Sequence, residues 1–348
     1  MPTRTPAAPG RATMQDVAAL AGVSLKSVSR VVNAEPGVSP ALSDRVRRAV
    51  DELGYRHNLA ASNLRRGQRT GAIGMLVQDL SNGFCAEALR AVEDRARERG
   101  VVVMAASSDE DGPREREVVA GLVARRVDGL LLMPTSRDLG WLAPEIRAGL
   151  AVVAVDRRPV VPEIDAVVVD NQGSSAEAVG HLVAHGHRRI AFLGDTSGIV
   201  TAAERQDGYR AALRASGVAP DPALELTGLR SREAAREGVR ALLDLADPPT
   251  ALFAARNVIS EGAVMALQDR GRTHQVALVG FDDLAVAEML DPAISVVTQH
   301  THEIGTRAID LLLSRLDGDT SPPRTEVVAT TLVPRGSGEI PGPHAPRG

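Results

Sequence analysis

The chain has 348 residues, enough for two or three domains, and its 44% hydrophobic and 24% charged residues are typical of a folded globular protein. No apolar run approaches the ~18 residues that cross a membrane, and the leader lacks an apolar export signal, so we expect a cytoplasmic protein with no membrane partner. A single cysteine, Cys85, makes an internal disulfide impossible and fits a reducing compartment.

Charge divides the chain into two unequal parts. Residues 1–70 carry 11 Lys and Arg against 5 Asp and Glu, whereas the rest carries 29 against 39, so the net charge of −4 hides a basic start. A basic module ahead of an acidic body is typical of a nucleic-acid-binding head joined to a domain with another task. The polar ends, residues 1–12 and 338–348, are expected to be disordered tails.

Residues 13–57 predict three short helices. Thr13 caps the first, and Gly22 turns the chain before Ser24 caps the second. The pair Ser39-Pro40 begins the third, which ends at Gly54. Two helices that meet at a glycine turn suit a helix-turn-helix, whose second helix enters the major groove of DNA, although an ordinary helical hairpin has the same pattern.

From Ala72 onward, buried strand runs alternate with amphipathic helices. The runs include "AIGMLV", "VVVMA", "GLLLMP", "AVVAVD", "RIAFLG", "TALFAA" and "VALVGFDD". This alternation is the βαβ pattern of parallel sheets covered on both faces. Two strands joined only by a Pro-rich link, near residues 153–169, suggest a boundary between two α/β lobes. We expect an N-terminal lobe of residues 71–157 and 294–322 and a C-terminal lobe of residues 158–293 and 323–337.

The opening motif "DVAALAGVSLKSVSRVVN" closely resembles the headpiece of the lactose-repressor/galactose-repressor (LacI/GalR) family. The resemblance continues in "VSPALSDRVRRAVDELGY", "HGHRRIAFLG", "ERQDGYRAAL", "VGFDD" and "TLVPRGS", and it covers residues 13–337. It implies an α/β chain with a helix-turn-helix headpiece, a hinge helix and a two-lobed body like that of periplasmic binding proteins. The implied function is transcription regulation, more often repression, controlled by a small-molecule effector between the lobes.

The resemblance implies which headpiece residues meet operator DNA. Leu25, Lys26 and Arg30 of the second helix take the base-reading positions, and an arginine can donate two hydrogen bonds to one guanine. Short polar side chains suit phosphate oxygens, although each of them could equally be a helix cap or a solvated residue. These expected phosphate contacts are Thr13, Ser24, Ser29 and Asn33.

Residues 58–67 resemble the hinge helix of the family. So short a segment is a marginal helix by itself, and it is expected to order on DNA beside the hinge of a dimer mate. Leu64 takes the position that wedges into the minor groove, with Asn58 and Ala61 beside it. His57 stands where the family usually has proline, so hinge ordering is expected to be weaker. A homodimer on a pseudopalindromic operator is expected, because the C-terminus lacks the leucine heptads of tetrameric members.

Residues at the carboxyl ends of strands are the candidates for the effector site. By resemblance they are Asn82, Phe84, Asp156, Arg205, Arg256, Asn257 and Asp282. Arg256-Asn257 replaces the usual Asn-Asp of the family, so Arg256 could favour an acidic or phosphorylated effector or could close the cleft by pairing with Asp282. With 2% aromatic residues, the stacking platforms are restricted to Phe84, Phe281 and Trp141, which weakens the case for a plain hexose.

No catalytic, cofactor or metal site is predicted. "HLVAHGH" places His181 and His185 four residues apart, but no adjacent glutamate completes a zinc-protease motif, and "GDTSG" lacks the spacing of a hydrolase elbow. Two alternatives come from other classes. A solute-binding transport protein would share the body but not the basic headpiece, and an enzyme acting on sugars or nucleosides would need convergent acid and base groups.

Overall fold

The computed structural model describes residues 12–33, 35–56, 69–160 and 162–345. They form two compact units that divide between Thr70 and Gly71. Within these ranges, no helix combines the length and apolar character that crossing a bilayer requires.

The first unit contains the predicted helices α1 (Met14–Ala21), α2 (Leu25–Val32) and α3 (Pro40–Leu53). Gly22 turns the chain between α1 and α2 with a φ of 60°, a left-handed conformation that glycine adopts without strain. Val17, Val28 and Val46 are fully buried among the three helices. Burying a side chain of this size contributes about 1.5–3 kcal/mol, which is how so small a bundle is held together.

The second unit alternates strands with helices. Its strands are β1 (Ala72–Val77), β2 (Val102–Ser107), β3 (Gly129–Leu132), β4 (Ala151–Val155), β5 (Asp165–Val169), β6 (Ile190–Leu193), β7 (Glu225–Leu226), β8 (Ala251–Ala254), β9 (Ala277–Phe281), β10 (Ser295–Gln299), β11 (Thr325–Val328) and β12 (Thr330–Val333). Its helices are α4 (Gly83–Glu98), α5 (Gly112–Ala124), α6 (Ala143–Arg147), α7 (Asn171–Ala184), α8 (Val200–Ala215), α9 (Arg232–Leu243), α10 (Asn257–Asp269) and α11 (Thr301–Leu316).

The strands form two sheets, one in each lobe. The order in the N-terminal lobe is β11-β5-β4-β3-β1-β2, and the order in the C-terminal lobe is β12-β10-β9-β8-β6-β7. All pairs are parallel except β10 with β12. The predicted two-lobed, parallel-rich α/β body is confirmed. Its strands are nearly all apolar because helices cover both faces of each sheet.

The predicted lobe boundaries are wrong in three places. β5 pairs with β4, and β11 pairs with β5, so both belong to the N-terminal lobe although the prediction assigns residues 158–293 and 323–337 to the C-terminal lobe. β10 pairs with β9 in the C-terminal lobe, although the prediction assigns residues 294–322 to the N-terminal lobe. Apolar runs predict strands, but the pairing of strands distant in sequence leaves no local pattern.

The prediction of a disordered tail is wrong for residues 338–345, which pack on the C-terminal lobe. The amide of Gly342 donates to the carbonyl of His185 at 2.8 Å, and the ring Nε2 of His187 lies 2.9 Å from the carbonyl of Ile340. A Cβ atom on Gly338 would lie 2.8 Å from a methyl group of Val279, so the close approach requires glycine. Composition alone misleads here because specific contacts hold a polar segment, namely backbone hydrogen bonds, the side chain of Glu339 and the packing of Ile340 on the core. The other predicted tail, residues 1–12, lies almost wholly outside the described residues.

Candidate functional site

The start of α2 presents the predicted base-reading residues to solvent. Val28 is fully buried against α1 and α3, whereas Leu25 and Lys26 in the first turn of α2 are exposed. Leu25 is 46% exposed, as is Leu20 on α1. Arg30, one helical turn along, donates from Nη2 to the carbonyl of Pro36 at 2.9 Å and lies 3.6 Å from the carboxylate of Glu35.

Three of the four predicted phosphate contacts, Thr13, Ser24 and Asn33, are helix-cap residues in the structure, whereas Ser29 lies within α2. Thr13 accepts a hydrogen bond from the amide of Asp16, and its own amide donates to the Asp16 carboxylate at 2.7 Å. Ser24 accepts from the amide of Ser27 at 3.1 Å. At the end of α2, Asn33 donates from its side chain to the carbonyl of Ser29 at 2.6 Å. Capping does not prevent contact with phosphate, so their role at DNA stays a prediction.

The predicted hinge residues Asn58, Ala61 and Leu64 lie outside the described residues, as does His57. Their part in DNA binding also stays a prediction.

All seven predicted effector residues line one cavity between the two lobes of the body. The cavity measures about 460 Å³, the space at its mouth included. The N-terminal lobe contributes Asn82, which caps α4, Phe84 in the first turn of α4, and Asp156 after β4. The C-terminal lobe contributes Arg205 of α8, Arg256 and Asn257 at the start of α10, and Asp282 after β9. The carboxyl ends of parallel strands meet at one edge of each sheet, which is why residues so distant in sequence converge.

Sequence reasoning missed eight further lining residues: Gln78, Arg157, Asp195, Ile199, Thr201, Ala202, Ala255 and Gln299. Gln78, Asp195 and Gln299 end or follow strands β1, β6 and β10. Their position at strand ends was the signal that could have identified them.

Two aspartates occupy matching positions in the two lobes. Asp156 follows β4 with a φ of 69°, and Asp282 follows β9 with a φ of 70°. In each lobe a glutamine holds the carboxylate, since Gln78 donates to Asp156 at 3.1 Å and Gln299 donates to Asp282 at 2.5 Å. A left-handed backbone costs about 1–2 kcal/mol at a residue with a side chain, and such strain persists mainly at functional sites.

Each arginine of the cavity already has an acidic partner. Arg157 donates to both carboxylate oxygens of Glu110, at 2.8 and 2.6 Å. Arg256 donates to Asp195 at 2.6 Å. The alternative in which Arg256 closes the cleft by pairing with Asp282 is therefore wrong, because the carboxylate at the end of β6 lies closer to it.

The acidic partner of Arg205 is Asp282, and this arginine is as deeply buried as Arg157. One Nη1 atom of Arg205 lies 3.7 Å from the Asp282 carboxylate and donates to the carbonyl of Ala255 at 2.8 Å, while Nε donates to Asn171 at 2.9 Å. Its guanidinium lies 3.7 Å from the ring centre of Phe281, so that ring supports the arginine and is fully buried instead of forming a stacking platform.

Burial shifts the pKa values of several groups around the cavity. It raises the pKa of Asp156 above the ordinary range of a carboxyl group, despite the nearby Arg157 and Arg205, and it lowers the pKa of Arg205. Burial also raises the pKa of Cys85 to about 11, and its thiol donates to Gln78 at 3.0 Å. This cysteine is therefore a neutral packing group and not a nucleophile.

The two lobes touch across the mouth of the cavity. The amide groups of Asn82 and Asn257 form a reciprocal pair, with N–O distances of 3.0 and 3.2 Å. Nearby, Arg137 of the N-terminal lobe lies 3.2 Å from Glu204 of α8. These contacts hold the lobes in a closed arrangement.

The remaining predicted features serve the packing of each lobe. His181 lies 2.5 Å from Glu339 and His187 contacts Ile340, so both hold the C-terminal segment. Trp141 packs in the N-terminal lobe with Arg116 over its ring. Over the described ranges, no three metal-ligating side chains come together.

Two family models match the chain. Residues 13–58 match bacterial regulatory proteins of the lacI family, and residues 179–338 match the periplasmic binding protein-like domain. The first match covers the predicted headpiece. The second begins within α7 and covers most of the C-terminal lobe and also β11 of the N-terminal lobe.

Relatives and solved structures agree with the family models. The transcriptional regulator CelR of Thermobifida fusca is 36% identical over 337 residues, with 94% of this chain and 98% of that protein covered. The ribose operon repressor of Escherichia coli strain K12 is 31% identical, with 94% and 99% covered.

The structure of CelR with cellobiose has a TM-score of 0.70 at 34% identity, with 94% of this chain and 100% of that chain covered. The lac repressor dimer bound to operator and the anti-inducer ONPF has a TM-score of 0.82 at 26% identity, with 94% and 99% covered. Together with the helix-turn-helix and the two-lobed cleft, these matches show that the chain belongs to the lacI family of bacterial transcription regulators.

Proposed function

We propose that this regulator is a homodimeric repressor that binds a pseudopalindromic operator and releases it in response to a neutral, polyhydroxylated effector in the cleft. The observation that carries the proposal is the convergence of all seven predicted effector residues on one cavity whose cations are each paired. The cytoplasm, where operator DNA lies, is the place where such a protein acts.

The charge balance of the cavity favours a neutral effector. Arg157, Arg205 and Arg256 face four carboxylates, because Glu110 and Asp195 add to the two strand-end aspartates. A phosphate or carboxylate ligand would have to displace one of these acidic partners and leave it buried and unpaired, which is strongly unfavourable. An effector without charge leaves every ion pair intact.

The polar groups that remain suit vicinal hydroxyl groups. A carboxylate accepts hydrogen bonds from hydroxyls and a guanidinium donates to them, so Asp156, Asp282 and Arg205 could grip a sugar ring from both lobes. The amide groups of Asn82 and Asn257 can both donate hydrogen bonds to hydroxyls and accept them. Cellobiose in CelR and the ribose in the name of the ribose operon repressor place neutral sugars first among the candidates.

We propose that the cleft binds its effector without turnover. The residues that line it include a single hydroxyl side chain, Thr201, and the nearby thiol of Cys85 stays protonated. Glycoside hydrolysis needs one carboxylic acid and one carboxylate at the bond, and we propose that Asp156 and Asp282, each held by a glutamine, bind hydroxyl groups instead. Release of monosaccharide from cellobiose by the purified protein would contradict this part of the proposal.

On the DNA side, we propose that Leu25, Lys26 and Arg30 read bases from the exposed face of α2. Their exposure and the net positive charge of residues 1–70 support this role. The short polar residues Thr13, Ser24, Ser29 and Asn33 would contact phosphates, and the hinge residues Asn58, Ala61 and Leu64 would contact the minor groove.

A thermal-shift screen tests the effector class. Full-length protein is melted alone and with cellobiose, ribose, glucose 6-phosphate and gluconate, each at millimolar concentration. A ligand that binds the native state raises the melting temperature, and we expect this only from neutral sugars. Stabilisation by the phosphorylated or carboxylated sugar alone would contradict the proposal, because it would show that a paired arginine is available to an anion.

A further inference from the structure

A chain of hydrogen bonds runs from the effector cavity to the surface contact between the lobes. It begins at Arg205, whose Nε donates to the side-chain oxygen of Asn171 at 2.9 Å. The side-chain nitrogen of Asn171 donates to Glu204 at 3.1 Å. The other oxygen of Glu204 accepts from Arg137 at 3.2 Å, and Arg137 belongs to the opposite lobe.

Burial differs along this chain in a way that suits a relay. Arg205 and Asn171 are 5% and 2% exposed, so their contact is shielded from water, whereas Glu204 and Arg137 are partly exposed at the rim. A shielded hydrogen bond to a charged group is stronger and more directional than an exposed one. If the guanidinium of Arg205 reorients, the side chain of Asn171 therefore has to move with it to keep their hydrogen bond.

The chemistry of Asn171 fits this place better than that of an aspartate. Its amide offers one acceptor to the guanidinium and one donor to the carboxylate, so both ends are satisfied. An aspartate would bring a second negative charge against Glu204 in a buried position. Asn171 also begins α7, which packs along α8, the helix that carries both Glu204 and Arg205.

We propose that Asn171 and Glu204 are positioning residues that tie the orientation of Arg205 to the inter-lobe ion pair of Glu204 with Arg137. When an effector binds Arg205 and changes its orientation, this relay then carries the change to the ion pair between the lobes and so alters lobe closure. The inference rests on the proposed effector role of the cleft. None of the three relay partners of Arg205 lies among the residues that line the cavity.

The test observes the Nε–H group of Arg205 by nuclear magnetic resonance in ligand-free, full-length protein, with its signal assigned by its loss in Arg205→Lys. In Arg137→Gln and in Glu204→Gln, we expect the signal to shift and its exchange with water to accelerate by about two- to fivefold, the range of a partly exposed ion pair. The double variant should match Glu204→Gln alone, because the ion pair with Arg137 is already lost in that variant.

Arg230→Gln is the matched control. Arg230 is also an exposed arginine that crosses between the lobes, and it donates to the carbonyl of Asp109 at 3.4 Å without a link to Arg205. We expect it to leave the Arg205 signal unchanged. An unchanged signal in Arg137→Gln, or an equal change in Arg230→Gln, would overturn the relay. Since no effector or operator is present, failure of the proposed function would show itself separately in the binding assays.

Discussion

At the level of single residues, the cleft keeps charged groups buried by pairing nearly all of them. For Asp156 the pairing does not offset burial, which raises the pKa of this carboxyl group although Arg157 lies 3.4 Å from it. A carboxyl group with a raised pKa in the folded protein favours folding when protonated and loses that advantage as the pH rises through its folded value. Stability at neutral pH is thus reduced at a residue that serves ligand binding.

Asp156→Asn should therefore stabilise the protein at neutral pH. The amide keeps the hydrogen-bonding shape without the buried charge, so we expect a melting temperature a few degrees above that of the unaltered protein at pH 7. The difference should shrink as the pH falls and approach zero below about 3, where the carboxyl group is protonated in both the folded and unfolded states. A difference that grows at acidic pH would show that the buried carboxylate is net stabilising.

Arg30→Ala should relax operator specificity more than it weakens binding to unrelated DNA. Loss of a two-point guanine contact removes about 1–3 kcal/mol of discrimination, about 5- to 150-fold in the ratio of the two affinities. Fluorescence anisotropy with the operator and with operators altered at single base pairs measures this ratio. Arg116→Ala, in the effector-binding body, is the control; equal discrimination in both variants would remove Arg30 from the reading set.

At the level of elements, the local sequence pattern predicted the type of each secondary-structure element better than the lobe to which it belongs. Helix caps at Thr13, Ser24 and Ser39, each confirmed, are encoded within four residues, as are the apolar strands. The lobe to which β5 or β10 belongs depends on partners far along the chain, and the boundaries failed there. Resemblance to the family predicted seven of the residues that line the cleft. Gln78 and Asp195 could be identified only from their positions at the ends of strands.

Deletion of residues 338–348 should destabilise the C-terminal lobe. It removes the contacts of Glu339 with His181 and Ser295 and the contacts of Ile340 and Gly342 with the loop after α7. Each such hydrogen bond contributes about 0.5–1.5 kcal/mol, so the loss of several should lower the melting temperature by roughly 4 °C or more. Deletion of residues 346–348 alone should have no effect. Equal melting curves for both truncations would show that the segment adds nothing to stability.

At the level of the whole molecule, a helix-turn-helix unit precedes a two-lobed body with a cleft. Ligand can shift operator affinity only by as much as it discriminates between the DNA-competent and DNA-incompetent states, and such couplings are typically about 1–3 kcal/mol. Asn82 with Asn257 and Arg137 with Glu204 are contacts that a change in lobe closure would make or break. Weak contacts of this kind allow a small ligand to bias the balance.

Operator affinity measured with and without the effector tests this account most directly. In fluorescence anisotropy at physiological salt, the neutral sugar that raises the melting temperature should weaken operator binding by about 5- to 150-fold. Asp282→Asn should bind the operator as the unaltered protein does and lose the response. A response that persists in Asp282→Asn, or a stabilising sugar that leaves operator affinity unchanged, would contradict the claim that this cleft controls DNA binding.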